Sequence, residues 1–201
     1  DRGSREKTLG AGSARYKNVI LEETNGKLPL LEDFIAPLRI NGQGGQAKNL
    51  YNSYVYFIRW AIWKACEQKK NQTGVVSYIT SSSYLRGPGF AGMREHMRKV
   101  FDEIWIIDLG GEGRGARKEE NVFAIQTPVA IFFGIQHPNT ATGTPKKNAD
   151  RIRQKATVYY RRVSGTRTEK LEAMATVRAP EPDSYTGWEK LPSGEWGDKF
   201  V

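Results

Sequence analysis

The chain has one cysteine, two histidines and no long apolar run, and each shortage removes a class of protein. A single thiol, Cys66, cannot form an internal disulfide, so a small disulfide-stapled scaffold is excluded. Cys66 falls in a helical apolar pattern and reads as a small buried hydrophobe, in keeping with a reducing cytoplasm, the expected location. His96 and His137 stand far apart with no cysteine near either, so no zinc site is expected. No apolar stretch approaches the roughly 18–20 residues of a membrane span. No secretory signal opens the sequence and no repeat runs through it, so neither a membrane partner nor a solenoid is expected. Acidic residues are also short: 22 against 31 Lys and Arg, giving a net charge of +9. That balance points to a polyanionic partner, nucleic acid first and an anionic surface second. A protein that is merely basic is the other reading of the same number.

What remains is enough for a folded domain. The 201 residues are 38% hydrophobic and 11% aromatic. Residues 1–18 are rich in Gly, Ser and charge and read as a flexible lead-in. In 28-LPLLEDFIAPLRI-40 an apolar element is broken by Pro29 and Pro37, and 41-NGQGGQ-46 is a loop. The spacing of Leu50, Tyr54, Phe57, Ile58, Ala61, Ile62 and Ala65 predicts a buried helix face over 49–68, with Asn49 as candidate N-cap. Strands are predicted at 74–81, 103–110 and 129–136, with a helix at 91–101 between the first two. Strand–helix–strand spacing of this kind indicates an α/β sheet. The last two strands have only a loop between them, which makes them antiparallel neighbours at a sheet edge. Beyond the polar stretch 137–150, a strand at 156–163 and a short helix at 167–176 are predicted.

Three stretches carry candidate chemistry. The segment 110-GGEGRGARK-118 has phosphate-loop composition, but it lacks both the G-x-G-x-x-G fingerprint and the Walker Lys-Ser/Thr pair. It reads as a surface loop whose Arg114, Arg117 and Lys118 either contact a DNA backbone or form a solvated charge run. The loop 81-SSSYLRGPG-89 follows the carboxyl end of its strand, where ligands bind in open α/β sheets. Ser81, Ser82 and Tyr84 offer hydroxyls there and Arg86 a cation, with helix capping and turn chemistry as the alternative use. Farther on, Arg151, Arg153, Lys155, Arg161, Arg162 and Arg167 are interleaved with Tyr159 and Tyr160, a combination suited to nucleic-acid contact. Phe123 is set apart: a large aromatic between a charged loop and the apolar strand, either the first core residue of that strand or a side chain held out to touch something.

Several blocks in order, 50-LYNSYVYFIRWAIWKACE-67, 74-GVVSYITSSSYLRGPGFAGMREHMRKVFDEIWIIDLGG-111 and 119-EENVFAIQTPVAIFFG-134, resemble the DNA adenine-N6 methyltransferase region of Type ISP and Type IIG-like restriction–modification enzymes. The resemblance implies an α/β fold. This would be the second half of a Rossmann-like S-adenosylmethionine-dependent methyltransferase sheet, ending in an antiparallel hairpin and followed by the start of a target-recognition region. On that reading, residues 1–48 are lead-in and linker and 49–136 the carboxyl-terminal half of the catalytic domain. Residues 137–155 are then a linker and 156–201 the start of the recognition region. S-adenosylmethionine is the implied cofactor of the complete enzyme. The implied partners are double-stranded DNA and the amino-terminal half of the methyltransferase domain.

Such enzymes rotate the target adenine out of the duplex. The resemblance makes Phe123 the aromatic that stacks on it, and lines the target-base pocket with Ser81, Ser82 and Tyr84. Arg86, Arg114, Arg117, Lys118, Arg161 and Arg162 are the backbone-contact candidates. The family's (N/D)-P-P-(Y/F/W) motif is absent from the 201 residues, so no catalytic residue is assigned and the chain alone is expected to be inactive. A non-catalytic nucleic-acid-binding module with a degenerate methyltransferase fold is the alternative. If the strand at 74–80 lacks its neighbour, its edge is open to self-association.

Overall fold

A computed structural model of the chain describes residues 20–21, 23, 26–68, 72–112, 119–138, 155–177, 186–192 and 195–201. The lead-in, the 139–154 linker, Arg151 and Arg153, and the loop positions Arg114, Arg117 and Lys118 all lie outside them.

Helix α1, Glu32–Ile40, begins after Pro29 and runs through Pro37, which the sequence pattern treats as a break. Packing outweighs the lost hydrogen bond: Phe34, Ile35 and Leu38 are buried, and two carboxylates in the first turn and Arg39 in the last suit the helix dipole. Within the expected lead-in and linker, Leu31, Phe34, Ile35, Leu38 and Ala47 are buried. A 3-10 segment, Gly44–Leu50, leads to helix α2, Ser53–Ile62, which widens into a π turn over Trp63–Glu67. The N-cap is Asn52, whose side chain accepts from the Tyr54 amide at 3.3 Å. Asn49 instead donates to the Gln46 carbonyl at 3.0 Å, because the preceding turn is 3-10 rather than α. Phe57, expected on the core side, is 48% exposed, while Val55, Ile58, Arg59 and Ile62 face inward.

The sheet comprises β1 (Gly74–Ser81), β2 (Glu103–Gly110), β3 (Val129–Gln136), β4 (Thr157–Arg162) and β5 (Glu189–Leu191), in the order β1-β3-β2-β4-β5. β3 is antiparallel to both β1 and β2; β4 is parallel to β2, and β5 antiparallel to β4. β1, β2 and β4 thus share one direction, and their carboxyl ends meet at one rim. The expected β2–β3 antiparallel pairing is present, but it lies in the middle of the sheet rather than at its edge. β1 is the edge, and the strand expected at 156–163 is β4 of this same sheet.

Between β1 and β2 run a one-turn helix α3 (Ser83–Arg86), a 3-10 turn at Pro88–Phe90 and helix α4 (Ala91–Val100). Side chains of α1, α2 and α4 form the main core with Val76, Ile104, Ile106, Phe132 and Val158. Gly92 permits the approach of α4 to α1: a Cβ there would stand 2.0 Å from the Phe34 carbonyl oxygen. On the opposite face, helix α5 (Arg167–Thr176), opened by a capping box between Thr166 and Glu169, covers a smaller cluster of Ile107, Leu109, Val122, Val129 and Val163. Further along that face Trp105 stacks on Tyr159 at 3.9 Å, while Val75, Ile79 and Phe133 are exposed.

Candidate nucleic-acid interface

The carboxyl ends of β1, β2 and β4 surround a crevice of about 1210 Å³. Its walls include Ser82 and Arg86 from the loop after β1, Asp108 and Gly110 from β2, Arg162 from β4 and Glu119 from the loop after β2. This is the rim where an open α/β sheet binds ligands.

Asp108 organises it. The residue is 3% exposed, a buried acid toward the carboxyl end of strand β2. It accepts from the Tyr160 hydroxyl at 2.9 Å and, through Oδ1, from the Gly110 amide at 3.0 Å. Arg162 pairs with it at 2.8 Å and Arg86 approaches to 3.7 Å. Burial, then the neighbouring Asp108 charge, pushes the Tyr160 hydroxyl up to about 12, so it remains a donor at neutral pH. Partial burial works against the Arg162 charge, but the Asp108 and Glu119 carboxylates more than offset it and raise its pKa.

The loop after β2 turns on Gly110 and Gly111, whose φ values of 57° and 90° are left-handed. A Cβ on Gly111 would sit 2.6 Å from Asn121 Nδ2, which donates across the turn to the carbonyls of Gly111 (3.2 Å) and Thr127 (2.8 Å). Fully buried Lys170 of α5 donates to the Leu109 carbonyl at 2.7 Å and the Glu120 carbonyl at 2.6 Å, and pairs with Glu119 at 2.9 Å. Arg167 Nε holds the Val122 carbonyl at 3.1 Å.

Phe123 follows directly on this anchored base. It is 46% exposed, with its amide donating to Asn121 Oδ1 at 2.9 Å; Val122 is the buried residue of the pair. Of the two sequence readings, the core one is excluded: strand β3 starts only at Val129, and Phe123 is held outward.

The other candidates divide. Ser82, Arg86 and Arg162 come together on the crevice wall. Ser81 stands next to it, its Oγ 2.9 Å from that of Ser83. Tyr84 is fully buried with its ring edge-on to Phe132, so it belongs to the core rather than to the crevice walls; burial raises its pKa. Arg161 lies on the opposite sheet face from Arg162, within 3.2 Å of where a Cβ on Gly187 would stand. The basic cluster of the sequence is thereby split by the two-residue period of β4. Tyr159 goes with Arg161 to the Trp105 side, and Tyr160 with Arg162 to the crevice. Lys155 is occupied by Glu95 at 3.3 Å.

Sequence reasoning missed Asp108, Glu119, Asn121, Tyr160's hydroxyl bond and Lys170. Only Asp108 left a signal, as an acid toward the carboxyl end of an apolar strand. Elsewhere, Asp33, Glu67 and His96 converge within 4.8 Å of one another, and the buried Arg59 guanidinium donates to both carboxylates. That cation offsets one of the two carboxylate charges and occupies both acids as an ion-pair partner.

No protein-family model and no curated protein sequence matches the chain. Solved structures do. A nuclease-deletion mutant of the Type ISP restriction–modification enzyme LlaGI, in complex with a DNA substrate mimic, matches 99% of this chain at 19% identity with a TM-score of 0.61. The ATP-dependent Type ISP restriction–modification enzyme LlaBIII, bound to DNA, matches 98% at 20% identity with a TM-score of 0.61. The DrdV–DNA complex matches 74% at 24% identity with a TM-score of 0.56. At these identities the likeness is one of fold. The chain spans 17%, 12% and 13% of those three chains respectively. The described residues form a mixed α/β fold around a mostly antiparallel five-stranded sheet, shared with segments of two Type ISP restriction–modification enzymes and of DrdV, all solved with DNA. No described helix is long and apolar enough to cross a membrane.

Proposed function

We propose that the chain is the carboxyl-terminal part of the catalytic domain of a DNA adenine-N6 methyltransferase in a restriction–modification or phage-defence system. In this reading it binds double-stranded DNA, contributes Phe123 as the platform for an extruded adenine, and leaves methyl transfer from S-adenosylmethionine to residues outside the chain. The observation that carries the reading is the fold likeness over 98–99% of the chain to two Type ISP enzymes held on DNA. Chemistry at the rim is compatible with it. Ser82 and Arg86 offer hydrogen-bond donors at the carboxyl ends of parallel strands, and Phe123 presents an open aromatic face on a braced loop. Base–aromatic stacking is worth about 1–3 kcal/mol, enough to favour an unpaired base over solvent.

The test is methyl transfer from labelled S-adenosylmethionine to duplex DNA by the longer protein carrying this chain, with the product identified by mass spectrometry. N6-methyladenine is expected. Duplex binding without any N6-methyladenine would instead establish the non-catalytic nucleic-acid-binding module.

A further inference from the structure

The tail 195–201 builds a second concavity beside the crevice. Arg94 and Arg98 of α4, each 1% exposed, hold the tail by its backbone. Arg94 donates to the carbonyls of Asp198 (2.9 Å), Gly197 (3.0 Å), Tyr84 (2.9 Å) and Gly87 (2.8 Å). Arg98 donates to Asp198 (2.9 Å) and Lys199 (3.1 Å) and lies 4.6 Å from the Phe200 ring centroid. These two guanidiniums are committed to the frame. They fix the tail against the loop that carries Arg86, leaving a pocket of about 360 Å³ whose lining includes Gln43, Arg86, Pro88, Trp196 and Lys199.

Three observations set this pocket apart from the crevice. No carboxylate is among its described lining residues, whereas the crevice carries Asp108, Glu112, Glu119, Glu120 and Glu169. Trp196 Nε1 and Gln43 Oε1 are buried without a hydrogen-bond partner among the described residues, and a buried polar atom ordinarily has one. The pocket shares Gln43 and Pro88 with a neighbouring concavity of about 380 Å³ along Gly42, Gly45 and Gln46, where a side chain on Gly45 would meet nothing within 4 Å. The result is a groove with cations and an indole donor at one end and bare backbone along the other. An oxyanion on a flexible polar chain fits the cationic end: the cations and the indole N–H take the phosphate, and the glycines admit the sugar.

We propose that Arg86, Trp196 and Lys199 form a phosphodiester-binding pocket that seats a backbone phosphate of DNA beside the crevice. The proposal rests on the DNA-binding reading above. Arg86 lines both concavities, so it would couple phosphate seating to the crevice wall.

The test measures binding of the full chain to a duplex of about 20 base pairs across a salt series. Lys199→Gln and Arg86→Gln should each lower the slope of log affinity against log salt by about 0.9. Trp196→Phe, which removes the N–H donor together with part of the ring but no charge, should weaken binding about threefold to tenfold with the slope unchanged. Equal affinity and slope in all three variants, with duplex binding by the parent, would overturn the pocket and leave the DNA reading standing. If the parent binds no duplex, that reading fails and inorganic phosphate decides the pocket alone. Five indole resonances are available, and Trp196→Phe identifies one of them. A downfield shift of that resonance on adding phosphate supports an anion site, and its constancy overturns it.

Discussion

Lys170→Met is the sharpest probe of how the rim is built. The ammonium is fully buried on α5 and ties together the end of β2, through Leu109, and the base of the Phe123 loop, through Glu120 and Glu119. Methionine preserves length and apolar packing but strands two carbonyls and leaves Glu119 with Arg162 and the Gly111 amide. Removing one partner of a buried ion pair costs about 3–5 kcal/mol. The two carbonyl bonds are part of that figure rather than additional to it, because both states share the same packing. Against a total stability of roughly 5–15 kcal/mol this is a large fraction. With a urea m-value near 2 kcal/mol/M, the midpoint should fall by about 1.5–2.5 M, read by tryptophan fluorescence. Glu119→Gln in the same background removes an interaction that has already lost its Lys170 partner, so the double variant should be less than additive. A midpoint shift below about 0.3 M for Lys170→Met would refute the bracing role.

Phe123→Ala should leave the unfolding midpoint within about 0.5 kcal/mol of the parent, since the ring is exposed, while lowering adenine methylation by the longer protein; unchanged methylation together with unchanged 2-aminopurine fluorescence at the target position would sink the stacking role. Strand β1 is an eight-residue edge without Lys or Pro and with Val75 and Ile79 exposed, so the isolated chain should self-associate and Ile79→Lys should suppress it; a monodisperse parent monomer by light scattering would count against this. Burial alone would raise the Glu67 carboxyl, but His96 and Arg59 hold it below its ordinary 4.5. A depressed carboxyl stabilises fully above its unfolded value and loses that contribution as pH falls through the folded one, so Glu67→Gln should destabilise clearly at about pH 6 and much less at about pH 3. An equal loss at both pH values, measured by urea unfolding, would rule out the linkage.

Much of the fold was legible. Val, Ile and Tyr in 74-GVVSYITS-81 and the β-branched and aromatic runs of β2 and β3 mark strands by local composition, and each span is as predicted. α5 begins at a Thr-x-x-Glu capping box that the sequence displays openly. The errors arose where distant packing overrode local preference. Pro37 sits inside α1 because Phe34 and Leu38 reach the core, and Asn52 rather than Asn49 caps α2 because a 3-10 segment takes the preceding turn. At the rim, Arg86 and Ser82 were visible as polar residues after a strand. Trp196 and Lys199 carried no signal, since a turn-rich tail gives no hint of what it lies against.

The sequence by itself determined which segments are strands and helices, the excess of positive charge, and the presence of Phe123 ahead of β3. These rest on side-chain period, turn chemistry and residue type, all of which act within a few residues. Only the tertiary structure decided that β3 runs between β1 and β2, and that Arg161 and Arg162 part to opposite faces. It also decided that Tyr160 meets Asp108 across 52 residues and that two buried arginines fasten the tail beside Arg86. Those contacts depend on sheet order and on the burial of polar groups that must then find partners, and neither is written in any local stretch of the chain.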